Sequence, residues 1–297
     1  MWLTILTPGA ADLLRYDDWR DQAAQLDPLL YARGVTVDYV PWTSEAPLTC
    51  DLAIPLMAWG YHRDVDRWYA QIDRWTAAGV RFANPLSMLR WNADKRYLLD
   101  FAAKGVAIIP TRFTAAIDAD DLVASRAAFG TDAIVVKPPV SAGSDDTWLL
   151  KGVDSLPDAA LGRAMLIQPM MPAIATEGEL SLFWLGGELA HAIVKRPAIG
   201  DFRVQPQFGG QNEATDPPAA ALDLVGAALA AAGSDVLYAR IDMVADGAGG
   251  YALMEIELIE PWLYLDRAAD GGAAFADAVI RAQAPHHDTR LRPVPSA

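Results

Sequence analysis

The stretch that decides the fold reads VLYARIDMV (236–244), ADGAGG (245–250) and YALMEIEL (251–258). Two runs of β-prone residues flank a turn rich in Gly, Ala and Asp, a pattern typical of an antiparallel hairpin. Charged and apolar side chains alternate along both runs, so each predicted strand has one charged face and one apolar face. The stretch therefore predicts a β-hairpin that packs one face on a core and presents acidic groups on the other.

The charged face of this hairpin carries three carboxylates and one guanidinium. Alternation places Arg240 and Asp242 on one face of the first strand, and Glu255 and Glu257 on one face of the second. A turn that closes symmetrically sets Asp242 opposite Glu255. It also sets Arg240 opposite Glu257. The apolar face then holds the core candidates Ile241, Met243, Met254, Ile256 and Leu258.

Opposed carboxylates repel each other across a strand ladder unless a cation neutralises them. The candidate metal ligands are Asp242, Glu255 and Glu257. Carboxylates without a neighbouring His or Cys are hard oxygen ligands, so the expected ion is Mg²⁺ or Mn²⁺. The alternative is an ordinary solvent-facing side of an antiparallel sheet, and the hairpin alone favours neither interpretation.

Composition excludes several classes of protein. The chain has 297 residues, of which 53% are hydrophobic and 21% charged, as in a globular protein with a sizeable core. The net charge of -14 argues against a nucleic-acid partner, because phosphate backbones bind basic surfaces. No apolar run is long enough to span a bilayer, and no signal peptide precedes the first strand. With Cys50 as the single cysteine, we expect a cytoplasmic protein without disulfides or a membrane partner.

Alternating strand and helix patterns predict an N-terminal βαβ domain over residues 1–85. Its predicted strands are 3–6, 35–40, 51–56 and 81–83, and its predicted helices are 11–32 and 64–78. Ligands bind outside the carboxyl ends of parallel strands, so loops 8–10 and 58–63 are candidate substrate loops. His62 and Arg63 lie in the second of these loops. No GxGxxG motif follows the first strand, which argues against a dinucleotide site.

The rest of the chain follows an α+β pattern with two predicted subdomains, 86–165 and 166–284, and a frayed tail over 285–297. The first subdomain has predicted helices at 87–104 and 118–129 and strands at 106–110, 133–137 and 147–150. The second has a hairpin at 180–194, an Ala-rich helix at 219–232 and then the acidic hairpin. The fold class predicted for the whole chain is α/β, or α+β overall.

Cations are spread through the part of the chain that carries the acidic hairpin. Lys137 ends an apolar strand and enters the small-residue loop PPVSAGS (138–144), where a lysine and free backbone N–H groups can hold phosphates. An ordinary surface lysine before a turn is the competing interpretation. Further candidates are Lys95, Lys195, Arg203 and Arg240. Dispersed cations together with a carboxylate metal site are what a nucleoside triphosphate requires.

The order of these motifs resembles the ATP-grasp superfamily, most closely the glutathione-synthetase-like amide ligases. The motifs that carry the resemblance are NADKR (92–96), VVKP (135–138), IQPMMP (167–172), EGELS (177–181), KRP (195–197), RID (240–242) and EIE (255–257). The resemblance implies an ATP-grasp fold, with a pre-ATP-grasp βαβ domain followed by two α+β subdomains that clasp ATP. It covers nearly the whole chain.

The resemblance also implies roles for individual residues. Lys95 and Lys137 match the phosphate-binding lysines, and Ser141 lies in the phosphate loop. Gln168, Met170 and Met171 match the adenine hinge. Glu179, or less well Glu177, matches the acceptor for the ribose hydroxyls. The remaining matches are Asp242, Glu255 and Glu257 as Mg²⁺ ligands, and Lys195, Arg203, Arg240 and Lys137 as catalytic cations.

The implied activity is ATP- and Mg²⁺-dependent formation of an amide-type C–N bond through an acyl phosphate. Segments 191–197, 200–205 and 257–261 are similar to the O-ureido-serine cyclo-ligase branch, whose members close a ring within one small amino-acid-like substrate. A ligase that joins two small molecules, a small-molecule kinase and a non-catalytic binding module are the alternatives. A homodimer is also possible by the same resemblance.

The chain departs from the family pattern at three places. Glu257 replaces an Asn at the last metal position, which keeps an oxygen ligand and adds negative charge. The phosphate loop begins with Pro138 and Pro139 and is poorer in glycine than usual. Pro169 stands where the hinge often has an acidic or amide residue.

Overall fold

The N-terminal domain is a three-stranded parallel sheet with two helices. In the computed structural model, which describes residues 1–233 and 235–283, the sheet has the order β2-β1-β3. Its elements are β1 (Trp2–Thr7), α1 (Trp19–Tyr31), β2 (Thr36–Pro41), β3 (Leu52–Ile54) and α2 (Val65–Ala77). The predicted helix 11–32 begins later than expected, because residues 10–18 form turns. The predicted fourth strand reduces to a single parallel bridge between Ala53 and Phe82.

Indole rings fill the core between this sheet and α2. Trp68 is fully buried, and its ring meets Trp42 edge to face at 5.9 Å and Trp75 at 5.8 Å. Such contacts add to the hydrophobic stabilisation that comes from removing large rings from water. Trp68 and Trp75 thus pack in the core of this domain.

The first predicted subdomain corresponds to a four-stranded antiparallel sheet in the order β4-β7-β5-β6. Its elements are α3 (Leu86–Asn92), α4 (Tyr97–Ala103), β4 (Arg112–Thr114), α5 (Ala119–Phe129), β5 (Ala133–Lys137), β6 (Trp148–Lys151) and β7 (Met165–Pro169). Helix α5 begins with a capping box, in which Asp118 and Asp121 each accept a bond from the other's backbone N–H.

Two predicted elements of this subdomain are wrong in detail. The helix predicted over 87–104 is broken, because the buried side chain of Asn92 bonds the backbone of Ile256 and Leu258. Lys95 then donates its N–H to the Pro139 carbonyl instead of continuing a helix. The strand predicted over 106–110 forms only one parallel bridge, from Ile108 to Leu253.

The third and largest sheet is antiparallel, with the order β10-β9-β8-β11-β12. Its elements are α6 (Ala173–Thr176), β8 (Glu179–Leu185), β9 (Glu188–Arg196), β10 (Gln211–Ala214), α7 (Ala219–Ala232), β11 (Tyr238–Ala245), β12 (Tyr251–Glu257) and α8 (Ala273–Gln283). Both predicted hairpins are present as β8–β9 and β11–β12. The predicted tail 285–297 lies outside the described residues.

At the end away from its turn, the acidic hairpin has the register that alternation predicts. Asp242 pairs with Glu255, and Arg240 pairs with Glu257. Beyond Asp242 the register shifts, so that Met243 pairs with Leu253 and Met254 is the extra residue. A bulge redirects the side chain at this point, and Met254 lines the cleft instead of the core. The other four core candidates of the hairpin are buried as expected.

Asn84 ties the N-terminal domain to the acidic hairpin. Its buried side-chain amide donates to the carbonyls of Tyr238, at 2.9 Å, and Leu258, at 2.8 Å. Its oxygen accepts the N–H of Leu237 at 2.7 Å. These bonds satisfy backbone groups at the start of β11 and just after the end of β12. Within the described ranges, no helix combines the length and apolar character needed to cross a membrane.

Candidate active site

A cleft of about 880 Å³ opens where the three sheets meet. Its walls come from loops of the N-terminal domain, from the loop between β5 and β6, and from the charged face of the third sheet. All the residues predicted as site residues line this cleft: Lys95, Lys137, Ser141, Gln168, Met170, Met171, Glu179, Lys195, Arg203, Arg240, Asp242, Glu255 and Glu257. Glu177, the less favoured alternative to Glu179, is exposed and does not line it.

Asp242 is the most strongly bonded carboxylate of the cleft. It is buried, accepts bonds from Nε and Nη2 of Arg240 at 2.9–3.1 Å, and lies 3.3 Å from Lys195 Nζ. The Ser181 hydroxyl also donates to it. Burial alone raises the pKa of Asp242, but Arg240 and Lys195 outweigh burial and hold that pKa far below its usual range. Asp242 is therefore ionised at neutral pH.

For Glu257, the effect of burial on the pKa outweighs the attraction of nearby cations. Burial raises its pKa to about 7, because the attraction of Arg240 is partly offset by the negative charges of Glu255 and Asp242. Arg240 contacts the Glu257 carboxylate directly. A carboxyl group with this pKa gains strongly from an added cation, which stabilises its charged form.

Two lysines approach this acidic face from the first predicted subdomain. Lys95 Nζ lies 3.0 Å from Glu255 Oε1 and donates to the Ser141 carbonyl. Lys137 ends β5, and burial lowers its pKa to about 8 while the nearby Glu255 partly restores it. On the third sheet, Lys195 pairs with Glu179 at 2.9 Å. These cations concentrate positive charge in an otherwise acidic protein.

The donor chemistry fits a divalent cation, although cations of the chain occupy the carboxylates in this conformation. Asp242, Glu255 and Glu257 offer only oxygen ligands, which suits Mg²⁺ or Mn²⁺. In the part of the chain that the structure describes, no three acidic, His or Cys side chains converge as a formed metal cage. Arg240 and Lys95 bridge to these carboxylates instead. A metal ion would have to share or displace those contacts.

An apolar slot adjoins the predicted hinge at the end of β7. Gln168 is buried and donates to the Thr111 hydroxyl at 2.9 Å, and the Met170 N–H donates to the Ala133 carbonyl at 2.9 Å. The slot is lined by Ile109, Val135, Met170, Met171, Ile174 and Met254. An apolar slot with backbone polar groups at its edge suits a planar base. Met254 was missed because the bulge has no signature in the alternation of the strand.

The loop between β5 and β6 contacts the N-terminal domain through Asp145. Its carboxylate accepts two bonds from Arg15 Nη2 at 2.9 Å and lies 3.4 Å from His62 Nε2. His62 lines the cleft, as its position in a candidate substrate loop suggests. Arg63 instead points to Asp12, at 3.4 Å. The loop between β5 and β6 is thus held over the cleft by the N-terminal domain.

Arg203 lies in the segment between β9 and β10 and also faces the cleft. Its guanidinium pairs with Asp201 at 2.8 Å and stacks on the Phe208 ring at 3.6 Å. The hydrogen bond to Asp201 raises the pKa of Arg203, so this group stays charged throughout the physiological range. Its partners are local, and no described carboxylate of the third sheet contacts it.

Sequence reasoning also missed an aromatic wall at one end of the cleft. Trp59 and Trp262 stack with centroids 5.6 Å apart and an angle of 19°. The backbone carbonyl of Glu260 accepts a bond from Trp59 Nε1 at 2.9 Å. The only signal was the presence of Trp59 in a substrate loop and of Glu260 in a family-like segment, and neither fact assigns a role.

Comparisons with known proteins agree with this fold. The crystal structure of D-cycloserine synthetase DcsG matches 96% of this chain and 100% of its own, with TM-score 0.80 and 24% identity. D-alanine–D-alanine ligase from Bacillus anthracis matches 95% of this chain and 97% of its own, with TM-score 0.69 and 14% identity. The fold is that of an ATP-grasp ligase.

Sequence comparison shows to which family of ATP-grasp ligases the chain is related. The family described as "D-cycloserine synthetase DcsG, N-terminal domain" matches residues 4–84. The cycloserine biosynthesis protein DcsG of Streptomyces lavendulae is 32% identical over 218 residues, which cover 67% of this chain and 73% of that protein. The chain belongs to the DcsG family of ATP-grasp ligases.

Proposed function

We propose that this protein is an ATP- and Mg²⁺-dependent carboxylate–amine ligase that forms an amide-type C–N bond through an acyl phosphate. The observation that carries the proposal is the acidic β11–β12 face, where Asp242 opposes Glu255 and Arg240 opposes Glu257. Three lysines reach the same cleft from other strands and loops. Carboxylates for a metal and cations for phosphates are the two requirements of phosphoryl transfer.

The apolar slot is the proposed site of the adenine base, next to Met170 and Met171. Glu179 is the proposed acceptor for the ribose hydroxyls, and Lys95 and Lys137 are the proposed phosphate ligands, with Ser141 in the loop above them. Structures of the same fold support a nucleotide here: the Bacillus anthracis ligase has been solved with ATP, and PsnB with Mg and ADP.

Asp242, Glu255 and Glu257 are the proposed Mg²⁺ ligands, and the bound ion would neutralise phosphate oxygens as charge develops on them. Arg240 and Lys195 keep Asp242 ionised and so maintain a metal ligand at all physiological pH values. Lys95 holds Glu255 in place until a nucleotide gives the ammonium group an alternative partner. The chain's own cations therefore pre-organise the acidic face.

In the proposed reaction, an oxygen of the substrate carboxylate attacks the γ-phosphorus and ADP leaves. A nitrogen nucleophile then attacks the carbonyl carbon, a C–N bond forms, and the C–O bond to phosphate breaks. Lys137, Arg240, Lys195 and Arg203 are the cations placed to stabilise the developing charge. Removing one preorganised group of this kind typically lowers the rate by about 10²- to 10³-fold.

For the substrate, we propose a small amino-acid-like compound whose own nitrogen closes a ring, as in cycloserine formation from O-ureido-serine. The 32% identical relative is a cycloserine biosynthesis protein, which supports this choice. A ligase that joins two small molecules would use the same site and the same first step.

The test uses substrate labelled with ¹⁸O in its carboxylate. Transfer of one ¹⁸O atom to inorganic phosphate, with ADP and an amide as the other products, is the expected result. A phosphorylated product without a C–N bond would indicate a small-molecule kinase instead. Glu255→Ala should abolish turnover while the protein still folds, and Glu188→Ala is a matched control on the exposed start of β9.

A further inference from the structure

The aromatic wall continues beyond the stacked indoles. The Tyr16 ring lies 6.4 Å from Trp59, and the Tyr264 ring lies 6.4 Å from Trp262. All these rings line the cleft and are partly exposed to it. Trp59 comes from the N-terminal domain and Trp262 from the segment after β12, so the wall forms only when both parts of the chain are folded together.

Glu260 lines the same cleft as this wall, and it differs from the other glutamates there. Glu179, Glu255 and Glu257 each contact a Lys or Arg side chain. Among residues 1–233 and 235–283, none places a cationic nitrogen within 4.0 Å of the Glu260 carboxylate. Lys95 and Arg240 attract it only at longer range.

A carboxylate in such surroundings favours a cationic guest. Burial, followed by the charge of Glu257, raises the pKa of Glu260 well above its usual range, and Lys95 and Arg240 offset these effects only in part. A cation bound nearby would favour the ionised form of this carboxyl group. Partly exposed aromatic faces attract cations through the ring quadrupole. A carboxylate that lines the same cleft as the tryptophan rings is thus suited to an organic ammonium group, which can contact both.

The position of Glu260 also sets the direction of such a guest. Glu260 follows Glu257, the last proposed metal ligand, by three residues, and both side chains face the same cleft. A small molecule with its ammonium group at Glu260 would direct its remaining groups toward the acidic hairpin and the lysines. An α-amino acid, with a carboxylate one carbon away from its ammonium group, matches this arrangement.

We propose that Glu260 and the Trp59–Trp262 wall form the subsite for the α-ammonium group of the substrate. The subsite holds an amino acid so that its carboxylate faces Lys137 and Arg240. This inference rests on the proposed ligase function and adds to it a requirement for an α-amino group. Glu260 is a specificity-determining residue in this account, since it contacts substrate away from the reacting atoms.

The experiment compares O-ureido-D-serine and its L enantiomer with their des-amino counterpart, 3-(ureidooxy)propionate. Binding is measured by calorimetry with a non-hydrolysable ATP analogue and Mg²⁺ present, and turnover is measured as ADP release. The variants are Glu260→Gln, Trp262→Leu and the control Glu188→Gln. Affinity for the nucleotide analogue alone is measured for each protein as a check on folding.

The expected result is that Glu260→Gln weakens binding of the preferred enantiomer by about 10- to 100-fold, the usual effect of losing a hydrogen bond to a charged group. Binding of the des-amino compound should change less than threefold, so that the variant loses discrimination between the two. Trp262→Leu should reduce the same discrimination, and Glu188→Gln should leave it unchanged.

Three results would overturn the inference. Equal losses for both compounds would assign Glu260 a general structural role. Weaker binding of Mg²⁺ and nucleotide would assign it to the metal site. Binding of the des-amino compound alone, or of neither compound, with nucleotide binding intact would show that no ammonium subsite exists. Failure of the proposed function is distinct, because it appears as absence of Mg²⁺-dependent ADP release with every carboxylate tested.

Discussion

Replacing Lys95 by Met tests how the cleft exchanges its own cations for a metal and a nucleotide. Lys95 is buried between α3 and α4, with Nζ 3.0 Å from Glu255 Oε1 and in contact with the Ser141 carbonyl. The Met side chain is close in length and removes both the charge and the N–H donors. Glu255 then faces Asp242 across the ladder without a partner.

The size of the effect follows from the 3.0 Å separation. The Coulomb attraction of the pair is about 5.5 kcal/mol at an effective dielectric constant of about 20. Desolvation of both groups cancels much of it, and the Glu255 side chain keeps 27% of its exposure, which admits screening by water. We therefore expect the free energy of unfolding to fall by about 1 to 3 kcal/mol.

The two ligands should respond in opposite directions. Without its ammonium partner, Glu255 is free for a metal, so Lys95→Met should bind Mg²⁺ alone more tightly than the wild-type protein does. The nucleotide analogue should bind about 10- to 100-fold more weakly, because a charged hydrogen bond to phosphate is lost. Isothermal calorimetry measures both affinities, and Lys151→Met on exposed β6 is the control. Unchanged affinity for both ligands would refute the reasoning.

Three further outcomes follow from the structure. The pKa of about 8 at Lys137 predicts that nucleotide affinity stays level below pH 8 and falls above it, because the deprotonated amine attracts no phosphate; titration from pH 6.5 to 9.5 measures this. Asn84→Leu leaves three buried backbone groups without their partner, so denaturant unfolding should show a loss of about 3 kcal/mol. Asp145→Asn should change stability by less than about 1 kcal/mol, since Arg15 and Asp145 are exposed, yet should speed hydrogen exchange over residues 138–147.

Each of these outcomes has its own control. Lys137→Arg keeps its charge at high pH and should give a flat titration, and a continued fall would contradict the assignment. For Asn84, a loss below 1 kcal/mol would show that the hairpin ends are held by other contacts. Asp146→Asn removes a carboxylate of the same loop that pairs with Arg163. Exchange that rises equally in both loop variants would refute the specific role of Asp145.

The acidic hairpin was predictable because its determinants are local. Strand alternation and a Gly/Asp turn set the pairing of Asp242 with Glu255, and the structure has that pairing. The Ala-rich helix was predicted with the same bounds for the same reason, as an apolar run that ends before Gly233. The order of weak motifs then indicated ATP-grasp, where no single motif was specific.

The missed features depend on contacts between distant parts of the chain. The break after α3 comes from Asn92, whose side chain bonds backbone 164 and 166 residues away. The bulge at Met254 breaks the alternation without any Gly or Pro to indicate it. Trp59 and Trp262 meet only through the packing of two domains, and the bonds of Arg15 to Asp145 span 130 residues. Local patterns carry no information on such pairs.

The central claim is that the β11–β12 face binds the metal while the lysines bind the nucleotide. The most direct measurement is anomalous diffraction from crystals grown with Mn²⁺ and a non-hydrolysable ATP analogue. We expect Mn²⁺ peaks within coordination distance of Asp242, Glu255 and Glu257, and phosphates next to Lys95 and Lys137. Peaks elsewhere, with Arg240 and Lys95 still bridging the three carboxylates, would contradict it.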